Sequence, residues 1–458
     1  MSYNTQNIIG LPYKNAIKKL AIPAILTYVC QILFEFIDAY WLGRLQNSEV
    51  FAAVGAASFV TWALYALMNI VTGGVNSYVA QYAGAKIKKK YHQIAFEGLI
   101  LSVIVGLLIT IIMLPLYHKI FFKMGLTGNI LKATEEYFSV MNLYFIISFI
   151  YITTGTIFNA HGDTKTTFWT NGVTIFLNII LTPLLILGYD FIPRLEVKGA
   201  ALSTIISQAV GIFLRIILLI RKDFLSTKLS LRDMSLKECL LIMKVGLPVA
   251  TGNFIFCMVF PVLTRFITML ENINALSALN ICHRVEGVAY FICVGFSVSA
   301  CTMVGQYTGI KDMKRAKESA WANALYLTYI LIPVSLLFII YPHPLIYIMT
   351  DDQMVLAEGV KYMRIIGLCE ILLGLEIVFQ GVFTGMGNTI PPTLIYVPLT
   401  IGRIPLAYFM AFHLGMGVTG IWWAISISTL LKGILVTLMF LIEGRKKKYC
   451  LKEEFLVI

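Results

Sequence analysis

The feature that most constrains this chain is a procession of apolar blocks, each near the ~20 residues that a helix needs to cross about 30 Å of hydrocarbon. They fall at 20–42, 51–83, 94–117, 137–159, 168–189, 199–220, 245–270, 277–308, 320–341, 361–386, 393–412 and 417–442. Only 13% of the 458 residues are charged and 58% are hydrophobic. A soluble chain carries about 25% charged residues, so this one cannot coat a water-soluble globule. The ~10-residue alternating segments of an outer-membrane barrel are absent. The expected fold class is an all-α membrane protein of about twelve transmembrane helices. Blocks longer than 25 residues imply tilt or irregular ends. No small-residue cleavage site follows the first block, so it reads as a retained helix.

The net charge is +12, but this does not point to nucleic acid. The basic residues sit in short clusters between the blocks, such as Lys86–Lys90 and Arg445–Lys448, as topology signals do. With a cytoplasmic amino terminus, the inside segments take Lys14, Lys18 and Lys19, the cluster at 86–90, Lys165, six cations in 221–244, four in 311–317 and five after 442. The outside segments keep Arg44, Lys119, Lys123, Lys132, Arg194, Lys198 and Lys361. The bias places both termini in the cytoplasm of a multi-pass plasma (inner) membrane protein, which an even number of spans requires.

The basic segment 221–244 lies mid-chain and divides it into two similar halves. Val79-Ala-Gln-Tyr-Ala-Gly-Ala-Lys86 matches Val304-Gly-Gln-Tyr-Thr-Gly-Ile-Lys311, an offset of 225. The same offset pairs Pro23 with Pro248, Ala53 with Ala278, Tyr137 with Tyr362, Phe158 with Phe383 and Gly162-Asp-Thr164 with Gly387-Asn-Thr389. Six spans per half make the repeat parallel, with its axis along the membrane normal. The expected organisation is an amino-terminal six-helix lobe (1–220), a cytoplasmic linker (221–244), a carboxy-terminal six-helix lobe (245–442) and a basic tail (443–458). Two like bundles about a central cavity suit alternating access.

Ionisable residues at membrane depth are expensive and are functional candidates by default. Here they are Glu35, Asp38, Arg215, Arg265, Arg284, Glu286, Glu370, Glu376, Arg403 and Lys432. Glu35 and Asp38 are three apart and share a helix face. Two such carboxylates would not both ionise easily, which suits proton binding or a cation held between them. Alternatively Glu35 pairs with a nearby base and Asp38 acts alone. Arg284 and Glu286 are two apart and face different neighbours, as a structural ion pair or a site. Glu376 and Gln380, one turn apart, are candidates to line a cavity in the second half. Arg403 precedes Ile404-Pro405, and its expected use is to bond the carbonyls that the proline frees. Asn69, Asn76, Asn142, Asn171, Asn178, Thr182 and Thr204 sit in apolar surroundings, where interhelical hydrogen bonding is the ordinary role.

No H-E-x-x-H, P-loop or G-x-S-x-G occurs, so neither an enzyme nor an ATP-driven pump is expected, and no cofactor. Six scattered histidines lack metal spacing. The eight cysteines contain no C-x-x-C and read as small buried hydrophobes.

Across roughly 15–442 the chain resembles the multidrug and toxic compound extrusion (MATE) family, in its prokaryotic type. The resemblance rests on Pro23, Asp38-Ala-Tyr-Trp-Leu-Gly43, Ala52-Ala-Val-Gly55, Val79-Ala-Gln-Tyr-Ala-Gly84 and Asn159-Ala-His-Gly-Asp-Thr-Lys165. It continues through Asn171, Asn178, Val197-Lys-Gly-Ala-Ala201, Gly246-Leu-Pro248, His283-Arg-Val-Glu286 and Val304-Gly-Gln-Tyr-Thr-Gly309. Gly381-Val-Phe-Thr-Gly-Met-Gly-Asn388, Arg403-Ile-Pro-Leu-Ala-Tyr408 and Gly420-Ile-Trp422 complete it.

The resemblance implies a monomeric antiporter that exports small cationic, amphipathic compounds in exchange for Na⁺ or H⁺. It makes Asp38 the centre of a coupling-ion site with Asn178 and Thr204, and the only place for a metal ion, Na⁺. Where such members carry a second aspartate this chain has Thr182, which leaves Glu35 to compensate or the site to favour another ion. No acidic residue lies between Gly246 and Leu270, where other branches carry one. A flippase for a lipid-linked precursor, from the same superfamily, is the alternative, with Arg215, Arg265, Arg284 and Arg403 available to meet phosphate.

Overall fold

The computed structural model describes residues 8–43, 48–188 and 193–443, and their regular elements are all helical. In chain order these are α1 (Tyr13–Gly43), α2 (Ser48–Ala66), α3 (Asn69–Gly84), α4 (Lys88–Met113), α5 (Tyr117–Lys123), α6 (Gly128–Ala160), α7 (Thr164–Leu187) and α8 (Glu196–Arg221). The second half holds α9 (Leu236–Met269), α10 (Ile273–Gly309), α11 (Met313–Ile340), α12 (Pro342–Tyr347), α13 (Gln353–Gly367), α14 (Glu370–Gly385), α15 (Ile390–Tyr408) and α16 (Val418–Glu443). A turn of π-helix, Phe409–His413, extends α15.

Length and composition make twelve of these membrane spans when α13 and α14, bent by 55° at a two-residue break, count as one. α2 and α3 also run as a single span with an interruption at Leu67–Met68. The twelve apolar blocks of the sequence thus correspond one to one with the spans.

The offset of 225 governs the backbone as well as the letters. α2 and α10 start at Ser48 and Ile273, α4 and α11 at Lys88 and Met313, α5 and α12 at Tyr117 and Pro342, and α6 and α13 at Gly128 and Gln353. α3 and α10 end at Gly84 and Gly309, α6 and α14 at Ala160 and Gly385. The turns that follow are equivalent too. Lys86 (φ 58°) matches Lys311 (φ 62°), and Gly162 (φ 85°) matches Gly387 (φ 75°). A left-handed residue just past a helix lets the following N–H bond back to a carbonyl of the last turn. Ile87 N–H does so to Tyr82 and Asp312 N–H to Tyr307, each at 3.0 Å.

The chain packs as two compact units. One runs from Leu26 to Ala250, and the other joins Ile8–Ile25 to the chain from Thr251 onward. The boundaries lie inside α1 and α9, each two residues past a proline, Pro23 and Pro248. They are themselves 225 residues apart. Proline removes a helical hydrogen bond and loosens the helix there.

In the second unit Ala16, Ile17, Leu20 and Ala21 of α1 are buried in one cluster with Phe296, Ala300, Val304 and Tyr307 of α10. Tyr13 Oη donates to Glu318 at 2.7 Å. In the first unit Cys239 and Ile242 of α9 join Val71, Val75 and Val79 of α3. A Cβ on Gly246 would lie 2.0 Å from the Ile70 carbonyl oxygen, so the α3 and α9 backbones are in contact there.

The segment between α8 and α9 folds onto the first unit. Phe224 stacks on His161 with centroids 3.9 Å apart, Lys222 pairs with Asp163 at 2.5 Å, and Lys90 pairs with Glu238 at 2.7 Å. The buried Glu97 accepts from the Ser235 N–H at 2.8 Å.

Candidate functional site

In the first unit α7 and α8 approach closely because α8 opens with Gly199-Ala-Ala201. A Cβ on Gly199 would sit 2.4 Å from the Leu185 carbonyl oxygen. One turn further in, the facing side chains are polar. Asn178 Nδ2 donates to Ser203 Oγ at 3.3 Å and Thr204 Oγ1 at 3.5 Å. Thr182 Oγ1 and Ser203 Oγ share a hydrogen bond of 2.9 Å. Asn178, Thr182 and Ser203 are completely buried. The Ser203 and Thr204 hydroxyls also donate to the Ala200 carbonyl, at 2.8 and 3.1 Å.

The structure therefore brings together Asn178, Thr182 and Thr204, and adds Ser203. Ser203 carried a signal in the sequence, since it adjoins Thr204 and precedes Ser207 by one turn. Asn178 Oδ1 is left without a partner among the described residues. A buried carbonyl oxygen among hydroxyls is a hard-donor set, the kind that holds a small cation or an acidic proton. Glu35 and Asp38 lie on α1, but their side chains fall outside the described residues.

The same unit holds a buried guanidinium with neutral partners. Arg215 donates from Nε to Thr170 Oγ1 at 2.9 Å, from Nη1 to the Tyr151 carbonyl at 2.6 Å, and from Nη2 to Asn171 Oδ1. It also sits 3.8 Å above the Tyr151 ring. Hydrogen-bonding dipoles and the ring face compensate this charge. Asn171 and Arg215 thus serve packing between α6, α7 and α8. Asn142 does likewise, exchanging reciprocal bonds of 2.8 and 3.0 Å with the Thr110 backbone and hydroxyl.

The second unit is built from charges. Glu376 and Lys432 form an ion pair of 2.9 Å, each side chain 2% exposed. Gln380 Nε2 donates to the same Glu376 oxygen at 3.3 Å, and Lys432 Nζ lies 4.4 Å from the Tyr396 ring centroid. Glu376 and Gln380 are thus brought together as expected, around a lysine that spacing alone did not couple to them. Glu286 turns inward and accepts from Tyr362 Oη at 2.9 Å, while Arg284 is exposed.

Arg403 departs from expectation. Its Nε donates to Ser428 Oγ at 2.8 Å and its Nη2 to Thr429 Oγ1 at 3.3 Å. It reaches hydroxyls of α16 and not carbonyls freed by Pro405. The reason is packing: α16 lies along α15, and its two adjacent hydroxyls face the arginine. Among the described residues no group of three or more His, Cys, Asp or Glu side chains could hold a metal ion.

The MatE family model matches the chain twice, over residues 23–184 and 248–409. The two matches are again 225 residues apart and begin at the two prolines. The "Probable multidrug resistance protein NorM" of Thermotoga maritima is 28% identical over 451 residues, 95% of this chain and 94% of that one. The "Multidrug export protein MepA" of Staphylococcus aureus is 22% identical over 436 residues, covering 95% of each. A solved MOP superfamily transporter from Pyrococcus furiosus is 22% identical and has a TM-score of 0.89 over 98% of this chain and 99% of that one, a likeness of fold. Twelve spans, a repeat legible in both sequence and backbone, and a family model that matches each half lead to one conclusion: this chain belongs to the MatE family, that of multidrug and toxic compound extrusion.

Proposed function

We propose that the chain is a secondary antiporter of the plasma membrane, with both termini cytoplasmic, that exports small cationic amphipathic compounds in exchange for Na⁺ or H⁺. The observation that carries this reading is the buried nest of Asn178, Thr182, Ser203 and Thr204, with the Asn178 carbonyl oxygen unpartnered. Asp38 would supply the charge and the nest the neutral oxygens. Thr182 contributes a hydroxyl in place of a second carboxylate, and that favours a proton or a singly charged ion over a divalent one. The export of drugs is supported by the names of the relatives NorM and MepA. Two repeat-related lobes suit alternating access as the means of moving the cargo.

The test is ethidium efflux from proteoliposomes under an imposed Na⁺ or H⁺ gradient, for wild type, Asp38→Asn and Asn178→Ala. Gradient-driven efflux that disappears in Asp38→Asn and weakens in Asn178→Ala supports the reading and names the ion. Full efflux in Asp38→Asn would remove Asp38 from the coupling site.

The second reading, a flippase for a lipid-linked precursor, draws on Arg403, a buried guanidinium whose hydrogen bonds go to hydroxyls and leave it free to meet an anion. Folded protein that moves no ethidium under either gradient would bring this reading forward.

A further inference from the structure

Glu370 opens α14, directly after the 55° bend. It is 0% exposed, and neither carboxyl oxygen has a hydrogen-bond partner. The other carboxyls inside this unit are engaged: Glu376 with Lys432 and Glu286 with Tyr362.

α14 packs against α10, α11 and α16. From α10 the titratable groups near Glu370 are Glu286 and the Cys293 thiol. From α16 the charged group is Lys432, which Glu376 holds six residues further along α14, about 9 Å at 1.5 Å per residue. The buried face of α11 carries Ser319, Asn323, Leu327 and Leu331 and no titratable side chain. Cys369 precedes Glu370 in the break itself. The only full charges in this list are one like charge and one lysine already spoken for. An ionised carboxylate with neither donor nor cation is far less stable in such surroundings than the neutral acid.

The position is also one that can change. α13 and α14 are separated by two non-helical residues after Gly367, and reorienting the two segments would alter what surrounds the first side chain of α14. Glu286 is only half-buried, which gives a proton a nearby acceptor that water reaches.

We propose that Glu370 is a proton-carrying site of the second lobe. It is a neutral carboxylic acid when packed as seen here, and it releases its proton when the α13–α14 bend changes. On release the O–H bond breaks, the electron pair stays on Glu370, and the proton passes to Glu286 or to water. The carrying role rests on the ion-coupled antiporter reading; the proton itself does not.

The test uses the full chain in proteoliposomes. Infrared difference spectra across a rise in pH are recorded for wild type, Glu370→Gln and Glu370→Leu, with ethidium efflux under a pH gradient measured in parallel. The expected result is a protonated-carboxyl carbonyl band in wild type that is absent from both variants. Efflux in folded variants loses its dependence on the pH gradient, and thermal melting identifies the folded ones. A wild-type band unchanged by both substitutions overturns the site. Variants that transport with undiminished gradient dependence overturn the carrying role. If wild type moves no ethidium under any gradient, the antiporter reading fails by itself, and the infrared band still decides whether Glu370 holds a proton.

Discussion

The two halves superimpose in register yet break in different places. α10 runs unbroken where α2 and α3 are interrupted, and α6 runs unbroken where α13 and α14 bend. Single residues account for both differences. Asn69 turns its amide back to the Ala66 carbonyl at 3.1 Å and competes with the helical bond; its counterpart in α10 is Val294, which has nothing to offer. In the other pair a hydroxyl meets the same backbone position in both halves, Thr110 on the Asn142 carbonyl at 2.8 Å and Ser335 on the Gly367 carbonyl at 2.5 Å. Asn142 answers with its own amide and locks α6 to α4. Gly367 has no side chain to answer with, and there the span bends. A shared fold thus leaves the location of a break to local chemistry.

The halves differ in their interiors as well. The first solves burial with neutral donors and acceptors around Asn178 and Arg215, the second with ionised groups around Glu376 and Lys432. The sharpest challenge to this contrast is to delete a cation from each. Lys432→Met leaves Glu376 buried without a partner and lowers stability by about 3–5 kcal/mol, most of which returns when Glu376→Leu is added. Arg215→Met leaves only neutral groups unsatisfied and costs less, about 1–3 kcal/mol. Equal losses in thermal unfolding of the purified protein would erase the distinction.

The second challenge concerns pH. His161 lies in the turn after α6, outside the spans, and burial under Phe224 pushes it down to about 4 from 6.5. A folded value below the unfolded one means that the unfolded chain binds the extra proton. Stability is therefore full above pH 6.5 and falls as the pH drops through 4, by up to about 3 kcal/mol. The second half carries Met386 at this position, so His161→Met copies it into the first half. Melting curves taken from pH 7 to pH 4 should lose that slope in the variant.

A smaller effect tests the breaks themselves. Asn142→Gly removes the locking amide and places glycine mid-helix, at a cost of about 1–3 kcal/mol, and makes α6 resemble the bent span. The converse Gly367→Asn gains nothing, because a Cβ there already meets Phe338 at 3.1 Å and Ile339 at 3.0 Å. Faster amide exchange around residues 142–146 in Asn142→Gly is the readout, and unchanged exchange would assign the bend to something other than Gly367. Smallest of all, Ser203→Ala costs about 1 kcal/mol and weakens any Na⁺ protection against melting.

The spans and the repeat were legible because hydropathy and a fixed offset are properties of the letters alone. Partnership was less so. Nothing in spacing joins Glu376 to Lys432, 56 positions away, or turns Arg403 toward Ser428 and Thr429, because helix rotation decides both. The nest around Asn178 was readable through the family resemblance, and Ser203 was passed over although it stands beside Thr204. Thr110 and Asn142 read as ordinary apolar-block polar residues until their register with Ser335 and Gly367 was visible.

The unit boundaries within α1 and α9 carry a historical consequence. Residues 8–25, encoded by the first repeat, complete the core of the second unit, and the start of α9, encoded by the second repeat, completes the first. A half-length ancestor could not have closed its own core. Two copies would have had to exchange their opening half-helices, an arm-swapped dimer of the kind that domain swapping produces at low cost. Gene fusion then made a pre-existing exchange permanent, and the segment 221–235 is the seam.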